Sequence, residues 1–336
     1  MIGISLALLV PASAFGQIRA YPGSTMFSLP IRSEITAMAV GPGGRFVYLA
    51  GANMSSLFAV NTETHRLTQI PLRRGANVTG VAVTPDGREI YVTGNGSSAA
   101  GWRRTVYVVN AATNRVTGTI NVGGSSSYLA FSPDGRTAYV GVVDGLDFID
   151  VATQKVRAEI AVEPDASLIA VNPNGRTVYV VSDLLQVIDV THESVTATFA
   201  TNSSNACGLT LNKEGTLLYE SFCSAFGTSA NAIEPLQIIS TRTNTVTSHI
   251  NISGGSRGIA LSPNGRVLFT ASDSYYGIDA IDARSHSLIG VIPVKVNYKY
   301  SLANLVDMSP SGRTLFTVTI SFFGGSSQFS AISLSP

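Results

Sequence analysis

Charge is scarce in this 336-residue chain: Asp, Glu, Lys and Arg make up 13% of it, against roughly 25% in ordinary soluble domains. The 22 basic and 21 acidic residues nearly cancel, leaving a formal net charge of +1. No global field therefore draws the chain to nucleic acid or to an anionic membrane. Cysteine is limited to two residues and histidine to four. Two cysteines without a nearby histidine do not make a zinc site, and no C-x-x-C-H motif exists for covalent haem attachment. No cofactor is expected. No apolar run is long enough for a membrane-spanning helix, and neither an amphipathic helical pattern nor a long linker interrupts the chain.

What is present is 45% hydrophobic residues and 32 glycines. Together with many Ser, Thr and Asn, these read as an all-β protein rich in turns, with enough apolar mass for a large core. The first residues, Met1 to Gln17, run apolar and then small, in the A-x-A manner of a secretory signal that is too short to span a bilayer. Cleavage is expected after Ala14 or Gly16, and the protein is expected to be secreted or periplasmic. Residues 1–16 are then the signal and 17–336 the folded domain.

One unit organises the rest. Leu129-Ala130-Phe131 and Thr137-Ala138-Tyr139-Val140 are strand-forming, and Ser132-Pro133-Asp134-Gly135 between them supplies a fixed φ at Pro and a Gly able to take φ > 0. The turn recurs at Gly41 to Arg45, Thr84 to Arg88, Asn172 to Arg176, Asn212 to Thr216, Ser262 to Arg266 and Ser309 to Arg313, which makes seven copies. Their glycines, 44, 87, 135, 175, 215, 265 and 312, are 43, 48, 40, 40, 50 and 47 residues apart. Each interval holds four short strands, A to D, with a second turn of the type Asp150-Val151-Ala152-Thr153 between C and D. That is the spacing of β-propeller blades. The expectation is a single seven-bladed β-propeller of four antiparallel strands per blade. The last blade is one strand short, so the segment around Thr25 to Leu29 is expected to pair with the strand over 328–334 and close the ring.

Ser132 to Val140 with Asp150 to Val156, and Asn172 to Val180, resemble the YVTN-type seven-bladed propellers, whose repeat has the form S-P-D-G-x-x-x-Y-V followed by D-x-x-T-x-x-V. The resemblance implies the ring fold and often export, and no single activity. The fifth repeat departs most, with Lys213-Glu214 in place of Pro-Asp and Glu220 in place of Val.

Cys207 and Cys223 flank the fifth turn at similar distances from Gly215. In an exported protein they are expected to form a disulfide. Three histidines, His65, His192 and His286, fall in C–D turns of different blades and His249 in a strand D, so no shared metal cluster is expected. The G-x-S-x-G letters at Gly254 to Gly258 lack the strand-turn-helix setting of a nucleophile elbow. Glu163, Asp165 and Asp307 are placed near starts of inner strands, where they could reach a central channel. Five N-x-S/T sequons, at Asn53, Asn77, Asn95, Asn202 and Asn251, matter only in a eukaryotic host.

The A–B and C–D turns emerge on one face of such a ring and the B–C and D–A loops on the other. The second set varies and carries large side chains that no turn requires. These are Trp102, Arg103 and Arg104; Arg257; Tyr275 and Tyr276; Tyr298, Lys299 and Tyr300; and Phe322 and Phe323. Aromatics with Arg or Lys on variable loops favour protein, small-molecule or carbohydrate ligands. The function expected is a monomeric, non-catalytic binding scaffold using that face; the alternative is a lactonase-like hydrolase acting at the channel mouth.

Overall fold

The A–B turn is held from inside by its own short side chains. In the third repeat Ser132 N–H donates to Thr137 O (2.8 Å) and Gly135 N–H to Ser132 O (2.9 Å). Ser132 Oγ donates to Asp134 Oδ1 (2.6 Å) and accepts from Thr137 N–H (3.0 Å), while Asp134 Oδ1 accepts from Arg136 N–H (3.0 Å). The bond from Ser132, then that from Arg136 N–H, hold the Asp134 carboxyl below the usual carboxylate range. Gly135 sits at φ 71, and all seven turn glycines lie between 68 and 71, a region where a Cβ is strained. The fifth turn forms without Pro or Asp, because Asn212 Oδ1 accepts from Thr216 N–H (2.7 Å) and Leu217 N–H (2.9 Å).

The computed structural model describes residues 21–51, 53–95, 104–124, 126–164, 166–201, 205–223, 233–253, 255–272, 277–294, 301–321 and 325–334. Among them every regular element is a β-strand, and no helix is long and apolar enough to cross a membrane. The strands form seven antiparallel four-stranded sheets, and the A strands of successive blades lie side by side around the axis.

Strands A to D of blade one are Ala37–Val40, Phe46–Ala50, Ser56–Asn61 and Arg66–Pro71. Blade two has Val78–Val83, Glu89–Asn95, Arg104–Asn110 and Arg115–Asn121; blade three has Ser126–Phe131, Thr137–Val142, Gly145–Asp150 and Lys155–Ile160. Blade four follows with Leu168–Val171, Thr177–Val181, Leu185–Asp189 and Ser194–Phe199, and blade five with Ala206–Leu211, Leu217–Phe222, Ile233–Ser240 and Thr245–Ser253. Blade six is Ser256–Leu261, Val267–Ser272, Gly277–Asp282 and Ser287–Pro293. Blade seven takes Ser301–Met308, Thr314–Ser321 and Ser327–Leu334 from the C-terminal part and Gly23–Ile31 from the N-terminal part as its strand D. The ring is thus closed by the strand the repeat count left missing.

Seven aromatics four residues after the turn glycines, Tyr48, Tyr91, Tyr139, Tyr179, Tyr219, Phe269 and Phe316, are all buried. Tyr139 packs edge-on against Phe148 with centroids 4.8 Å apart, and burial pushes its phenol up to about 12. In the C–D turns the first Asp or Asn accepts amide bonds two and three residues on, as Asp282 does from Arg284 (3.0 Å) and Ser285 (2.7 Å). The residue that follows the fourth turn position takes the left-handed conformation in six blades: His65, Asn114, Gln154, Glu193, Asn244 and His286. His65, His192 and His286 therefore lie in turns of separate blades, and His249 in strand D of blade five.

The Pro-x-Gly spacing also links one blade to the next. A Cβ placed on Gly87 would lie 3.0 Å from Pro42 Cγ, on Gly135 3.3 Å from Pro85 Cδ, and on Gly312 3.4 Å from Pro263 Cδ. Gly44 closes the series 3.3 Å from Pro310 Cδ. Blade five offers Lys213 instead of proline, and a Cβ on Gly265 would meet nothing within 4 Å. Alanine at either Gly87 or Gly265 should lose roughly 1–2 kcal/mol to the positive φ. Gly87→Ala should lose about 1 kcal/mol more, because Pro42 must move. Urea midpoints of the two variants measure the difference, and equal losses would contradict the interlocking of turns.

Candidate functional site at the channel mouth

Every inner strand begins with an irregularity at the same position. In blade two Val78 faces Gly94 and Gly80 faces Thr93, so Thr79 is extra. By the same count Cys207, Arg257 and Asn304 are the extra residues in blades five, six and seven, and in blade three the shift falls between Ser126 and Leu129. In blades one and four Thr36 N–H and Ser167 N–H donate to Ala50 O (3.0 Å) and Val181 O (2.7 Å), carbonyls of residues already paired with Ala37 and Leu168. Each is a one-residue bulge, a device that re-aims a side chain and recurs beside binding sites.

The bulges fall eight residues before the turn glycines, at Thr36, Thr79, Ser127, Ser167, Cys207, Arg257 and Asn304. Two residues further along stand Met38, Val81, Leu129, Ile169, Leu209, Ile259 and Val306, all aliphatic. Short polar residues in five blades, one arginine and one half-cystine therefore mark the entrance where the D–A crossovers arrive. Thr79 Oγ1 shares a hydrogen bond with Thr93 Oγ1 (3.0 Å), and Ser167 Oγ donates to Val181 O (3.0 Å). Asn304 Nδ2 reaches across the closing seam to Ile35 O (3.2 Å). Cys207 is bridged to Cys223 with Cα atoms 5.7 Å apart, which ties strands A and B of blade five at this rim. Arg257 is half-buried.

The crossovers behind this ring are pinned by polar side chains inside the sheets. Asp147, 2% exposed, accepts from Gly123 N–H (2.8 Å), and burial raises its carboxyl above the usual range. Gln186 Oε1 accepts from Glu163 N–H (2.6 Å), Ser327 Oγ from Ile35 N–H (2.9 Å) and Glu220 Oε1 from Thr201 Oγ1 (3.2 Å). Asp147, Gln186 and Glu220 each grip the segment arriving from the preceding blade, whereas Ser327 of blade seven holds the segment leaving its own blade for blade one. A buried hydrogen-bonded polar group of this kind rigidifies the loop it holds.

Of the residues picked from the sequence, Arg257 stands in the bulge ring. Arg104 opens strand C of blade two, where its Nη1 donates to Gly123 O (3.1 Å) and supports the same crossover as Asp147. These two arginines belong to blades two and six and do not form one cluster on neighbouring blades. Trp102, Arg103, Tyr275, Tyr276, Tyr298, Lys299, Tyr300, Phe322 and Phe323 lie outside the described residues, as does Asp165. Ser256 of the G-x-S-x-G letters is fully buried and donates from Oγ to Gly258 O (3.1 Å), so it is a strand residue.

Asp307 stands at the far end of its inner strand and not near the start, where the sequence pattern puts it. The inner strand of blade seven runs Ser301–Met308, which puts Asp307 near its end, by the A–B turns, and away from Glu163 at the other end of the channel. Its carboxylate accepts from Met308 N–H (2.7 Å) and from the amide of Val40 in blade one. Burial outweighs those bonds and raises it to about 6. Among the described residues no three His, Cys, Asp or Glu side chains are grouped so as to hold a metal ion.

The ring entrance and its pinned crossovers are features of a propeller, and comparison with solved structures agrees. The chain is similar to Kuenenia stuttgartiensis hydrazine synthase, with a TM-score of 0.72 and 19% identity over 91% of this chain and 97% of that one. At that identity the likeness shows the fold alone. No protein-family model and no curated protein sequence matches the chain.

Proposed function

We propose that the protein is a non-catalytic binding scaffold that holds a small polar or carbohydrate ligand, or a short protein segment, over the channel mouth on the B–C and D–A face. The carrying observation is the bulge column, which holds a polar residue in six of the seven blades, beside positions two residues on that are all aliphatic. A rigid rim of hydroxyl, amide and guanidinium groups offers directional hydrogen bonds to such a ligand. The YVTN-type resemblance of 132–140 and 150–156 is compatible with a scaffold and selects no activity. Lactone hydrolysis would need a carboxylate and an imidazole to meet at the mouth. His65, His192 and His286 sit in C–D turns on the other face, so binding is the better-supported reading.

The test is a thermal-shift screen with mono- and disaccharides, short peptides and sugar lactones, repeated on Arg257→Gln. At least one probe should raise the Tm of the wild type and lose that effect in the variant. No stabilising probe, or a shift that survives Arg257→Gln, would overturn the reading. Export, supported by the apolar start and by the Cys207–Cys223 bridge, predicts a mature N-terminus at Phe15 or Gln17. Recovery of exported protein with Met1 intact would contradict it.

A further inference from the structure

The opposite face carries a row of arginines set by the turn repeat. Six of the seven A–B turns are followed by arginine, at 45, 88, 136, 176, 266 and 313. Where the turn or its neighbour supplies an acid, the guanidinium is matched: Arg88 with Asp86 (3.6 Å), Arg136 with Asp134 (3.9 Å), and Arg45 with Glu63 (3.1 Å). Blades four, six and seven replace that acid with Asn174, Asn264 and Ser311, and of these only six and seven adjoin. Asn264 Oδ1 still accepts from Ser262 Oγ (2.8 Å) and from Arg266 N–H (3.0 Å), so the turn keeps its shape and loses only its charge. In blade seven Ser311 Oγ takes the same amide bond from Arg313 N–H (3.4 Å). The C–D acid of blade six, Asp282, is occupied by Arg284 N–H, Ser285 N–H and Ser285 Oγ (3.0, 2.7 and 2.9 Å). Among the described residues neither Arg266 nor Arg313 has an ion pair.

Arg266 and Arg313 line one groove between blades six and seven, of about 710 Å³, with Ser262, Asn264 and Ser311 and with the partly exposed ring of Tyr21, which is backed by the buried Phe269. Tyr21 is fixed there by its amide, which donates to Val291 O (2.9 Å), and by edge-on packing on Phe269 at 5.7 Å. A volume of this size suits a small ligand. Two unneutralised guanidiniums beside an aromatic wall select an anionic head on a flat apolar body, through charge-assisted forks and ring contact.

We infer that the groove between blades six and seven is a binding site for small aryl carboxylates or aryl phosphates, held by Arg266 and Arg313 with the aryl body against Tyr21. It is independent of the channel mouth, since it opens on the A–B turn face and shares no residue with the bulge ring.

Titration calorimetry of the full chain with phenyl phosphate tests it, with inorganic phosphate and phenyl β-glucoside as probes lacking the body or the charge. Phenyl phosphate should bind at least tenfold more tightly than either. Arg266→Gln and Arg313→Gln should each weaken it about tenfold, while Arg88→Gln, which alters an ion-paired rim arginine, should not change it. All three positions are exposed, so these variants should keep the wild-type Tm. Absence of phenyl phosphate binding, equal binding of inorganic phosphate, or equal loss in Arg88→Gln would each overturn the assignment. Arg257→Gln should leave this binding intact, which separates its outcome from that of the channel-mouth screen.

Discussion

A chain lacking residues 1–31 should unfold at a markedly lower urea concentration and self-associate. Those residues include strand D of blade seven, Gly23–Ile31, which pairs from Gly23 opposite Leu334 to Ile31 opposite Ser327 with one bulge between Thr25 and Phe27. Ile31 is 2% exposed. Phe27 stacks on His65 of the blade-one turn with ring centroids 3.9 Å apart and lies 6.0 Å from Phe329. Ser28 Oγ and Ser330 Oγ share a hydrogen bond of 2.9 Å. Burial of Ile31 contributes roughly 2–3 kcal/mol, and the partly buried Phe27 and Leu29 about 1 kcal/mol or more each. The expected loss is on the order of 5 kcal/mol, a large part of what a domain has. Strand C of blade seven, Ser327–Leu334, would become an open edge with unpaired amides, which invites pairing between copies. Urea unfolding with light scattering reads both effects, and a synthetic peptide of residues 21–31 should restore the midpoint and the monomer. A truncated chain that stays monomeric with an unchanged midpoint would refute closure by this strand.

The ring could be read from the sequence because the A–B turn assigns a separate task to each of its residues. Ser132 has to bond Thr137 N–H, Asp134 has to bond Arg136 N–H, and Gly135 has to take φ 71; few other residues do all three. Once seven such turns were aligned, the missing strand D followed from the count. The channel mouth was less visible. A bulge depends on the register of two strands, and a single extra residue such as Thr79 or Asn304 looks like an ordinary strand start when one strand is read alone. Only the column eight residues before each turn glycine, compared across the blades, carries the signal: it is polar in six of seven. Asp307 was misplaced because the inner strand of blade seven has eight residues where that of blade one has four. Asp147 and Glu220 resemble solvent-facing members of an alternating strand. Their partners are Gly123 N–H and Thr201 Oγ1 on the preceding crossover, and no local pattern reports such partners. The unneutralised arginines needed comparison between repeats: Asn264 is a faithful turn residue, and only beside Asp86 and Asp134 does the missing charge appear.

Replacing Asp307 with alanine should remove a pH dependence of stability that one channel carboxyl imposes. Five other blades carry alanine at this position, Ala39, Ala82, Ala130, Ala170 and Ala260, so the wall accommodates the smaller side chain. In the folded chain the Asp307 carboxyl is raised to about 6, chiefly by burial; in the unfolded chain it titrates near 3.9. Between those values the folded state binds more protons than the unfolded state, so stability falls as pH rises. The contribution is fully present below about pH 4 and is lost as pH rises through about 6. Its upper limit is roughly 3 kcal/mol, two units at 1.36 kcal/mol each; water in the channel and the bonds from Met308 and Val40 reduce it. Asp307→Ala should therefore gain stability relative to wild type as pH goes from 4 to 7, by up to about 2–3 kcal/mol. Part of that gain at pH 7 is offset by about 1 kcal/mol for the lost amide partners. Asp307→Asn keeps an acceptor for Val40 N–H without titrating, so it should show the same relative gain with a smaller offset. Urea midpoints of all three proteins at pH 4, 5, 6 and 7 supply the comparison, and a constant difference between wild type and both variants would show that the carboxyl does not titrate in this window.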